Sequence, residues 1–281
     1  MTAPASSLPA ASKTAQEENF PVASFLLSAA TRATVMAYYH FARHADDISD
    51  SPDLTPDQKV AALDALEQAV RGGDAGPEQT LATAYRSAVN GDPALIETAA
   101  SLLDAFRRDA RRNYCADWDD LMAYCASSAA PVGRFLLSLH GESAETFPAS
   151  DALCSALQIL NHLQDCAKDL ARLDRVYVPV DLLTAAGLDR EILRAPASPP
   201  ALRSVFNQML DRTDGLILRA RLLVPQVRDL RLRLQTAITV EVAARLSARL
   251  RREDALAQAV KLTPLDYAGL SAVGLARGLL V

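Results

Sequence analysis

The stretch SDALCSALQILNHLQDCAKDLAR, which spans residues 150–172, has the apolar periodicity of a long amphipathic helix. Leucines recur at helical spacing along one side of it, at Leu153, Leu157, Leu160 and Leu163. It contains no glycine or proline, the two residues that most often interrupt a helix. The stretch therefore predicts a helix that buries a leucine face and presents a polar face.

The rest of the chain repeats this pattern between breaks at glycine and proline. Helical periodicity predicts further helices over 22–49, 56–70, 94–112, 117–140, 201–222, 226–261 and 265–280. The strand-like segment at 176–180 is too short to form a sheet. We therefore expect an all-α fold, with a loose N-terminal tail over 1–17 and a single helical domain over 18–281.

The composition excludes several classes of protein. Of the 281 residues, 50% are hydrophobic, 22% are charged and 5% are aromatic, which is unlike a disordered chain or an all-β fold. The net charge of −5 gives no overall electrostatic reason to bind nucleic acid. No apolar run approaches the roughly 20 residues that span a bilayer, and the N-terminus lacks the pattern of a secretory signal. The four cysteines match no zinc pattern, so we expect reduced thiols in a cytoplasmic protein.

Two acidic clusters lie on the predicted helices. Asp46 and Asp50 are four residues apart on the first helix, and Asn161, Asp165 and Asp169 repeat that spacing on the helix at 150–172. Residues four apart share a helix face, where bare carboxylates repel each other. Two such faces suit Mg²⁺, which usually binds through one or two carboxylates together with the phosphate oxygens of a substrate. The spacing predicts a metal–diphosphate site, while a pair of solvated acidic faces stays open as the plainer interpretation.

Other kinds of site have less support in the sequence. A ferritin-like di-iron site needs Glu-x-x-His pairs, and none occurs. The four histidines fit no metal pattern and are interpreted as local hydrogen-bonding residues. The chain also lacks G-x-G-x-x-G, a phosphate-binding loop and G-x-S-x-G. The arginine-rich run at 107–112 is interpreted as a solvated helix end, with contact to a phosphate or lipid headgroup as the alternative.

Three motifs in order resemble those of the squalene/phytoene synthase family, the head-to-head prenyl transferases. Residues 39–50, YHFARHADDISD, match the family's first acidic motif in full. Residues 124–133, YCASSAAPVG, are similar to its aromatic-Cys helix that ends in Val-Gly. The second acidic motif has its counterpart in NHLQDCAKD at 161–169, followed by RVYVP at 175–179. The resemblance covers residues 19–262.

Departures from the usual family pattern indicate one subgroup. Gln164 and Lys168 stand where most members have Arg and Glu, and ENFPVAS occupies 18–24. In these features the chain is similar to the bacterial hydroxysqualene synthases of hopanoid biosynthesis, which convert presqualene diphosphate and water to hydroxysqualene and diphosphate. Presqualene diphosphate, squalene and phytoene synthases stay open as alternatives within the family. A helical scaffold protein that has lost activity is the alternative outside enzymes.

The resemblance implies an isoprenoid-synthase helical bundle around a central cavity, with Mg²⁺ as the cofactor. It implies a set of oxygen ligands for the metal, namely Asp46, Asp47, Asp50, Asn161, Asp165 and Asp169. It implies a set of substrate-binding residues, namely Asn19, Tyr39, Arg43, Gln158, Gln164 and Lys168. Lys168 could instead form an ion pair with Asp165 or Asp169.

The resemblance also implies how the chemistry is shared among residues. Asp46, Asp50 and Asp165 are expected to assist departure of diphosphate, and Tyr124 to handle a proton or the cation. Aromatic faces stabilise positive charge, and the candidates are Phe20, Phe41, Tyr124 and Phe135. The apolar substrate implies peripheral contact with the inner membrane surface, and the pathway implies neighbouring enzymes. No feature of the sequence demands NADPH, which a squalene synthase needs.

Overall fold

The computed structural model describes residues 27–74, 76 and 79–281. Asn19, Phe20 and the expected tail over 1–17 lie outside these residues. Among the residues described, the regular structure is helical, and β-structure is limited to a parallel bridge between Tyr114 and Val176. This confirms the all-α prediction. None of the helices in this part of the chain is long and apolar enough to cross a membrane.

The helices follow one another with short connections. In chain order they are α1 Ala29–Asp50, α2 Pro56–Val70, α3 Gln79–Ala88, α4 Pro93–Arg111, α5 Trp118–Ser128, α6 Ala130–Leu139, α7 Phe147–Leu173, α8 Val180–Ala185, α9 Pro200–Ala220, α10 Leu223–Gln226, α11 Leu230–Leu250 and α12 Pro264–Leu279. Helix α7 contains the leucine-rich stretch that indicated the fold class.

Local capping explains several of these boundaries. Thr55 accepts a hydrogen bond from the backbone N–H of Gln58, and the Gln58 side chain accepts one from the Thr55 backbone, which forms a capping box. Gly141 follows α6 with a φ of 69°, a left-handed conformation that glycine adopts at little cost. Both features confirm helix ends that the sequence predicted.

The single helix predicted over 117–140 is wrong, because the structure divides it into α5 and α6. Pro131 has no N–H to donate to the preceding turn, and its ring would clash with a continuing helix. The break falls at Ala129, where φ is −122° and ψ is −42°. Pro131 instead occupies the first turn of α6, where a missing N–H is tolerated.

The helix predicted over 226–261 is also wrong, because α11 ends at Leu250. Beyond it, Asp254 accepts hydrogen bonds from the backbone N–H groups of Leu256 and Ser198 and from the Ser198 hydroxyl. An aspartate that binds nearby backbone donors competes with helix formation. These bonds hold the segment after α11 in turns against the start of α9.

The apolar interior forms two clusters of buried side chains. One is built from α1 to α4 and includes Phe135 of α6. The other is centred on α7, α9 and α11. The first acidic motif lies on α1 and the second on α7, so the two motifs belong to helices of different clusters. A site that uses both motifs has to form where the clusters meet.

Candidate active site

The first acidic face is held by an arginine from within the same motif. Arg43 places Nη1 2.8 Å from Oδ2 of Asp46 and Nη2 2.9 Å from Oδ1 of Asp47. All three side chains are part-buried. Tyr39, one turn earlier, packs edge-on against the ring of His40. The arginine thus neutralises part of the charge that the repeated aspartates bring to α1.

Asp46 has a carboxyl group whose ionisation is shifted by its surroundings. Burial, followed by the neighbouring Asp50 carboxylate, raises its pKa to about 7, although Arg43 and Arg175 act in the opposite direction. Loss of contact with water and the nearby carboxylates therefore disfavour the ionised form of Asp46. A cation bound beside this group would favour the ionised form.

The second acidic face lies on α7. Nζ of Lys168 lies 2.6 Å from Oδ1 of Asp165. Of the two roles expected for Lys168, substrate binding and an ion pair, the structure contains the ion pair. Its side chain is 61% exposed. Asn161 and Asp169 are part-buried on the same helix, and Oδ2 of Asp169 lies 3.7 Å from Nδ1 of His162.

The two glutamines of this motif have partners within the protein. Nε2 of Gln158 lies 3.0 Å from Nε2 of His162. Gln164 donates its amide N–H to the carbonyl of Val260 at 2.5 Å, and its Oε1 is buried without a hydrogen-bond partner. Gln164 therefore ties α7 to the segment after α11, and its unpaired oxygen is the atom left for a ligand.

Arg175 joins the ends of the two acidic helices. It follows α7 by two residues, and its Nη1 lies 2.5 Å from Oδ1 of Asp50 at the end of α1. Its Nη2 donates to the backbone carbonyl and the hydroxyl of Ser49. The two helix ends flank a cleft of about 350 Å³ that also contains Lys59 and Arg172. The structure thus brings the C-terminal ends of α1 and α7 together.

Tyr124 belongs to a polar cluster in the interior. Its hydroxyl donates to Oδ2 of Asp109 at 2.8 Å, and the hydroxyl of Tyr177 donates to the same oxygen at 3.1 Å. The Tyr177 ring stacks on His162 with centroids 3.7 Å apart. Burial raises the pKa of Asp109, although Arg175 and the two hydroxyl groups oppose that rise.

Sequence reasoning did not assign roles to Asp109, Arg175 or Tyr177. Asp109 lies within the run interpreted as a solvated helix end, and the arginines of that run do form ion pairs, such as Arg107 with Glu67. One signal was available: Leu102 and Ala105 lie seven and four residues before Asp109, which places it on the apolar face of α4.

The expected cation-shielding aromatics fall into two groups. Phe41 and Phe135 are buried in the first cluster, packed around Tyr38 and Tyr85. The hydroxyl of Tyr38 is buried there without a hydrogen-bond partner. Tyr124 lies instead with Tyr177 and His162 in the second cluster.

The donor set fits a hard divalent cation. The candidate ligands are carboxylate and amide oxygens, the atoms that Mg²⁺ prefers. Within the residues that the structure describes, no three His, Cys, Asp or Glu side chains are grouped closely enough to hold an ion by themselves. Mg²⁺ usually takes one or two protein carboxylates and completes its coordination shell with substrate phosphates and water.

Comparison with known proteins places this chain in a family. Residues 13–266 match the squalene/phytoene synthase family. A hydroxysqualene synthase from Rhodopseudomonas palustris is 42% identical over 256 residues, covering 91% of this chain and 87% of that protein. A hydroxysqualene synthase from Sinorhizobium fredii is 41% identical over 251 residues, covering 89% of this chain and 85% of its own length.

Solved structures agree with the sequence relatives. A squalene synthase from Alicyclobacillus acidocaldarius is 32% identical with a TM-score of 0.70, covering 85% of this chain and 90% of that one. A dehydrosqualene synthase, 20% identical, matches in fold with a TM-score of 0.79 over 94% of this chain and 93% of its own. The resemblance of the three motifs is thereby confirmed, and the chain belongs to the squalene/phytoene synthase family.

Proposed function

We propose that this chain is a hydroxysqualene synthase, which converts presqualene diphosphate and water to hydroxysqualene and diphosphate. The observation that carries the proposal is the identity of about two-fifths with hydroxysqualene synthases over some nine-tenths of the chain. The acidic faces on α1 and α7 supply the kind of site that a diphosphate leaving group requires.

We propose that Mg²⁺ is the metal and that the two acidic faces hold it. The proposed ligands are Asp46, Asp50, Asn161 and Asp165, with Asp47 and Asp169 as supporting acids. When bound, the cation supplies Lewis-acid stabilisation of the departing diphosphate. Arg43 holds Asp46 and Asp47 in place, and its planar guanidinium group suits phosphate oxygens as well.

The substrate-binding residues are proposed on the same basis. Tyr39 and Arg43 lie one turn apart on α1 and would face the diphosphate. On α7, Gln158 and Gln164 are proposed to contact the substrate, Gln164 through its unpaired Oε1. Lys168 contributes through its ion pair with Asp165. Asn19 keeps its expected role, although it lies outside the described residues.

Once diphosphate has left, the fate of the cation depends on what surrounds it. Phe41 and Phe135 offer ring faces that stabilise positive charge without reacting with it. Tyr124 is proposed as the catalytic residue that handles the proton at this stage. Its hydroxyl is already fixed by Asp109, so it is positioned before the substrate arrives.

We also propose that the enzyme meets its apolar substrate at a membrane surface. Three leucine side chains are mostly exposed: Leu218 on α9 at 68%, Leu222 in the turn after α9 at 60%, and Leu279 on α12 at 63%. If these leucines form one continuous surface, that surface would favour contact with lipid. Binding to phospholipid vesicles in a flotation assay tests the proposal, and recovery of all the protein in the lipid-free fraction would contradict it.

A direct experiment distinguishes this function from the others in the family. The purified protein is given presqualene diphosphate or farnesyl diphosphate, with Mg²⁺ or with a chelator, and with or without NADPH. We expect a C30 alcohol from presqualene diphosphate that needs Mg²⁺ and not NADPH. Consumption of farnesyl diphosphate alone would assign the preceding reaction.

Squalene synthase is the second candidate, because the solved relative at 32% identity carries that name. In the same experiment it would give squalene as the main product, and only when NADPH is present.

A further inference from the structure

Asp109 is a buried carboxylate to which two phenols donate hydrogen bonds. Its side chain is 6% exposed, and Oδ2 lies 2.8 Å from the Tyr124 hydroxyl oxygen and 3.1 Å from that of Tyr177. An ionised carboxylate can only accept hydrogen bonds. Both phenol hydrogens are therefore directed at Asp109, and each phenol oxygen is left with lone pairs that can accept a further bond.

This cluster adjoins the proposed metal–diphosphate site. Nη1 of Arg175 lies 4.0 Å from Oδ2 of Asp109 and 2.5 Å from Oδ1 of Asp50. One side chain therefore joins the cluster to the acidic face of α1. On the other side, Tyr177 stacks on His162, the neighbour of Asn161 on α7. If diphosphate departs beside Asp50, as proposed, the cation forms next to the side chain that joins this carboxylate to Asp109.

We propose that Asp109 is a positioning residue for the capture of the cation by water, acting through Tyr124 and Tyr177. It keeps both phenol oxygens as acceptors, so that a water bound to them donates its hydrogen atoms to the protein and presents a lone pair to the cation. Asp109 also takes up, through Tyr124, the proton that this water loses. The inference rests on the proposed function.

The step balances in atoms and charge. A lone pair of the water oxygen forms the new C–O bond to the cationic carbon. One O–H bond of the resulting oxonium then breaks, and its electron pair stays on the oxygen. That proton passes to the Tyr124 oxygen while the original Tyr124 proton passes to Oδ2 of Asp109. The products are a neutral alcohol, a neutral phenol and a neutral carboxylic acid.

The surroundings of Asp109 are consistent with its accepting a proton. Burial raises its pKa, whereas the Arg175 cation, the hydroxyl groups of Tyr124 and Tyr177, and His162 act in the opposite direction. Neutralising a carboxylate in the interior also removes a charge that is costly to keep away from water. After the product leaves, the proton returns to solvent and the carboxylate is restored.

The test separates ionisation from water capture. Wild-type enzyme and Asp109→Asn are given presqualene diphosphate and Mg²⁺, and diphosphate release and product composition are measured independently. In Asp109→Asn, we expect diphosphate release to continue while the alcohol fraction falls by about tenfold or more, with hydrocarbon elimination products replacing it. An alcohol fraction equal to that of the wild type would overturn the proposal.

Two further variants show whether a change in product ratio comes from loss of the Asp109 carboxylate or from a disturbed fold. Asp120 is another part-buried carboxylate, which binds Arg108, Arg112 and the backbone N–H of Ala116, and Asp120→Asn should keep the wild-type product ratio. If Asp109→Asn does not fold, Tyr124→Phe removes the same proton path and should show the same fall. An unchanged ratio in Tyr124→Phe would also overturn the proposal.

Failure of the inference is distinct from failure of the proposed function. If the wild type makes the alcohol and both variants keep its proportion, only the role of Asp109 is rejected. If the wild type makes no alcohol from presqualene diphosphate, the proposed function is rejected and this inference with it.

Discussion

Arg43 and Arg175 each neutralise one part of the acidic face on α1. Arg43 binds Asp46 and Asp47 from within the helix, and Arg175 binds Asp50 from the segment after α7. Burial and the Asp50 carboxylate nevertheless raise the pKa of Asp46. At the residue scale, a cation bound at this face, as proposed, would favour the ionised form of Asp46.

The ligand assignment predicts the outcome of removing single carboxylates. Asp46→Asn or Asp165→Asn should lower turnover by at least about 100-fold, because Lewis-acid stabilisation of a leaving group is worth several kcal/mol. The free energy of unfolding should change by no more than about 1 kcal/mol, since one of two repelling charges is removed. Steady-state rates at saturating Mg²⁺ and urea denaturation measure the two quantities.

A surface acid provides the control for this experiment. Asp57 is exposed in the first turn of α2, and Asp57→Asn should retain wild-type turnover. Near-normal activity in either Asp46→Asn or Asp165→Asn would refute the ligand assignment.

Contacts within one helix could be predicted from the sequence, whereas contacts between distant segments could not. The acids of both motifs could be predicted, because a spacing of four residues fixes a shared helix face. The contact of Arg175 with Asp50 could not, because it joins residues 125 apart in the chain. The same holds for Asp109, because its partners Tyr124 and Tyr177 lie on other segments of the chain.

At the scale of elements, α6 and α7 approach closely at Gly133. A Cβ atom at this position would lie 2.4 Å from Oγ of Ser150 and 2.6 Å from Sγ of Cys154, both on α7. Such distances are well below van der Waals contact, so any side chain here would push the helices apart. This contact is the physical reason for a glycine at the end of the middle motif.

Two glycine substitutions should therefore have opposite effects on stability. Gly133→Ala should lower the free energy of unfolding by about 1–3 kcal/mol, as overpacking does in well-packed cores. Gly215, within α9, has open space around the same position, so Gly215→Ala should raise it by about 0.5–1 kcal/mol. Urea denaturation of both variants measures these changes, and equal stabilities for the pair would contradict the packing at Gly133.

The elements also show which parts of the fold follow from local sequence. Thr55 and Gly141 are capping signals with a local cause, and both predicted helix ends are confirmed. Pro131 was equally visible, and its missing N–H breaks the predicted helix at Ala129. The end of α11 could not be predicted from local sequence. Asp254 stabilises the turn that follows α11 by binding Ser198, which is distant in sequence.

At the scale of the whole molecule, the proposed site requires two apolar clusters to meet. Helix α1 contributes to the cluster of α1 to α4, and helix α7 to the cluster of α7, α9 and α11. Arg175 is a direct polar link between them. A ligand that binds both acidic faces should therefore strengthen the junction of the clusters.

This arrangement predicts that Mg²⁺ and inorganic diphosphate stabilise the protein cooperatively. Each completes the coordination of the other, and a ligand at about 100 times its Kd stabilises the folded state by about 2.7 kcal/mol. Thermal unfolding with Mg²⁺, with diphosphate and with both should show a joint shift in Tm larger than the sum of the two. Asp46→Asn should lose the excess, and shifts that merely add in the wild type would argue against a shared site.

The central claim is that water, and not hydride, captures the cation released from presqualene diphosphate. The most direct test is turnover of presqualene diphosphate with Mg²⁺ in ¹⁸O-labelled water, with mass spectrometry of the product. We expect a C30 alcohol that carries one ¹⁸O atom and forms equally well with or without NADPH. Squalene as the main product, formed only when NADPH is present, would contradict it.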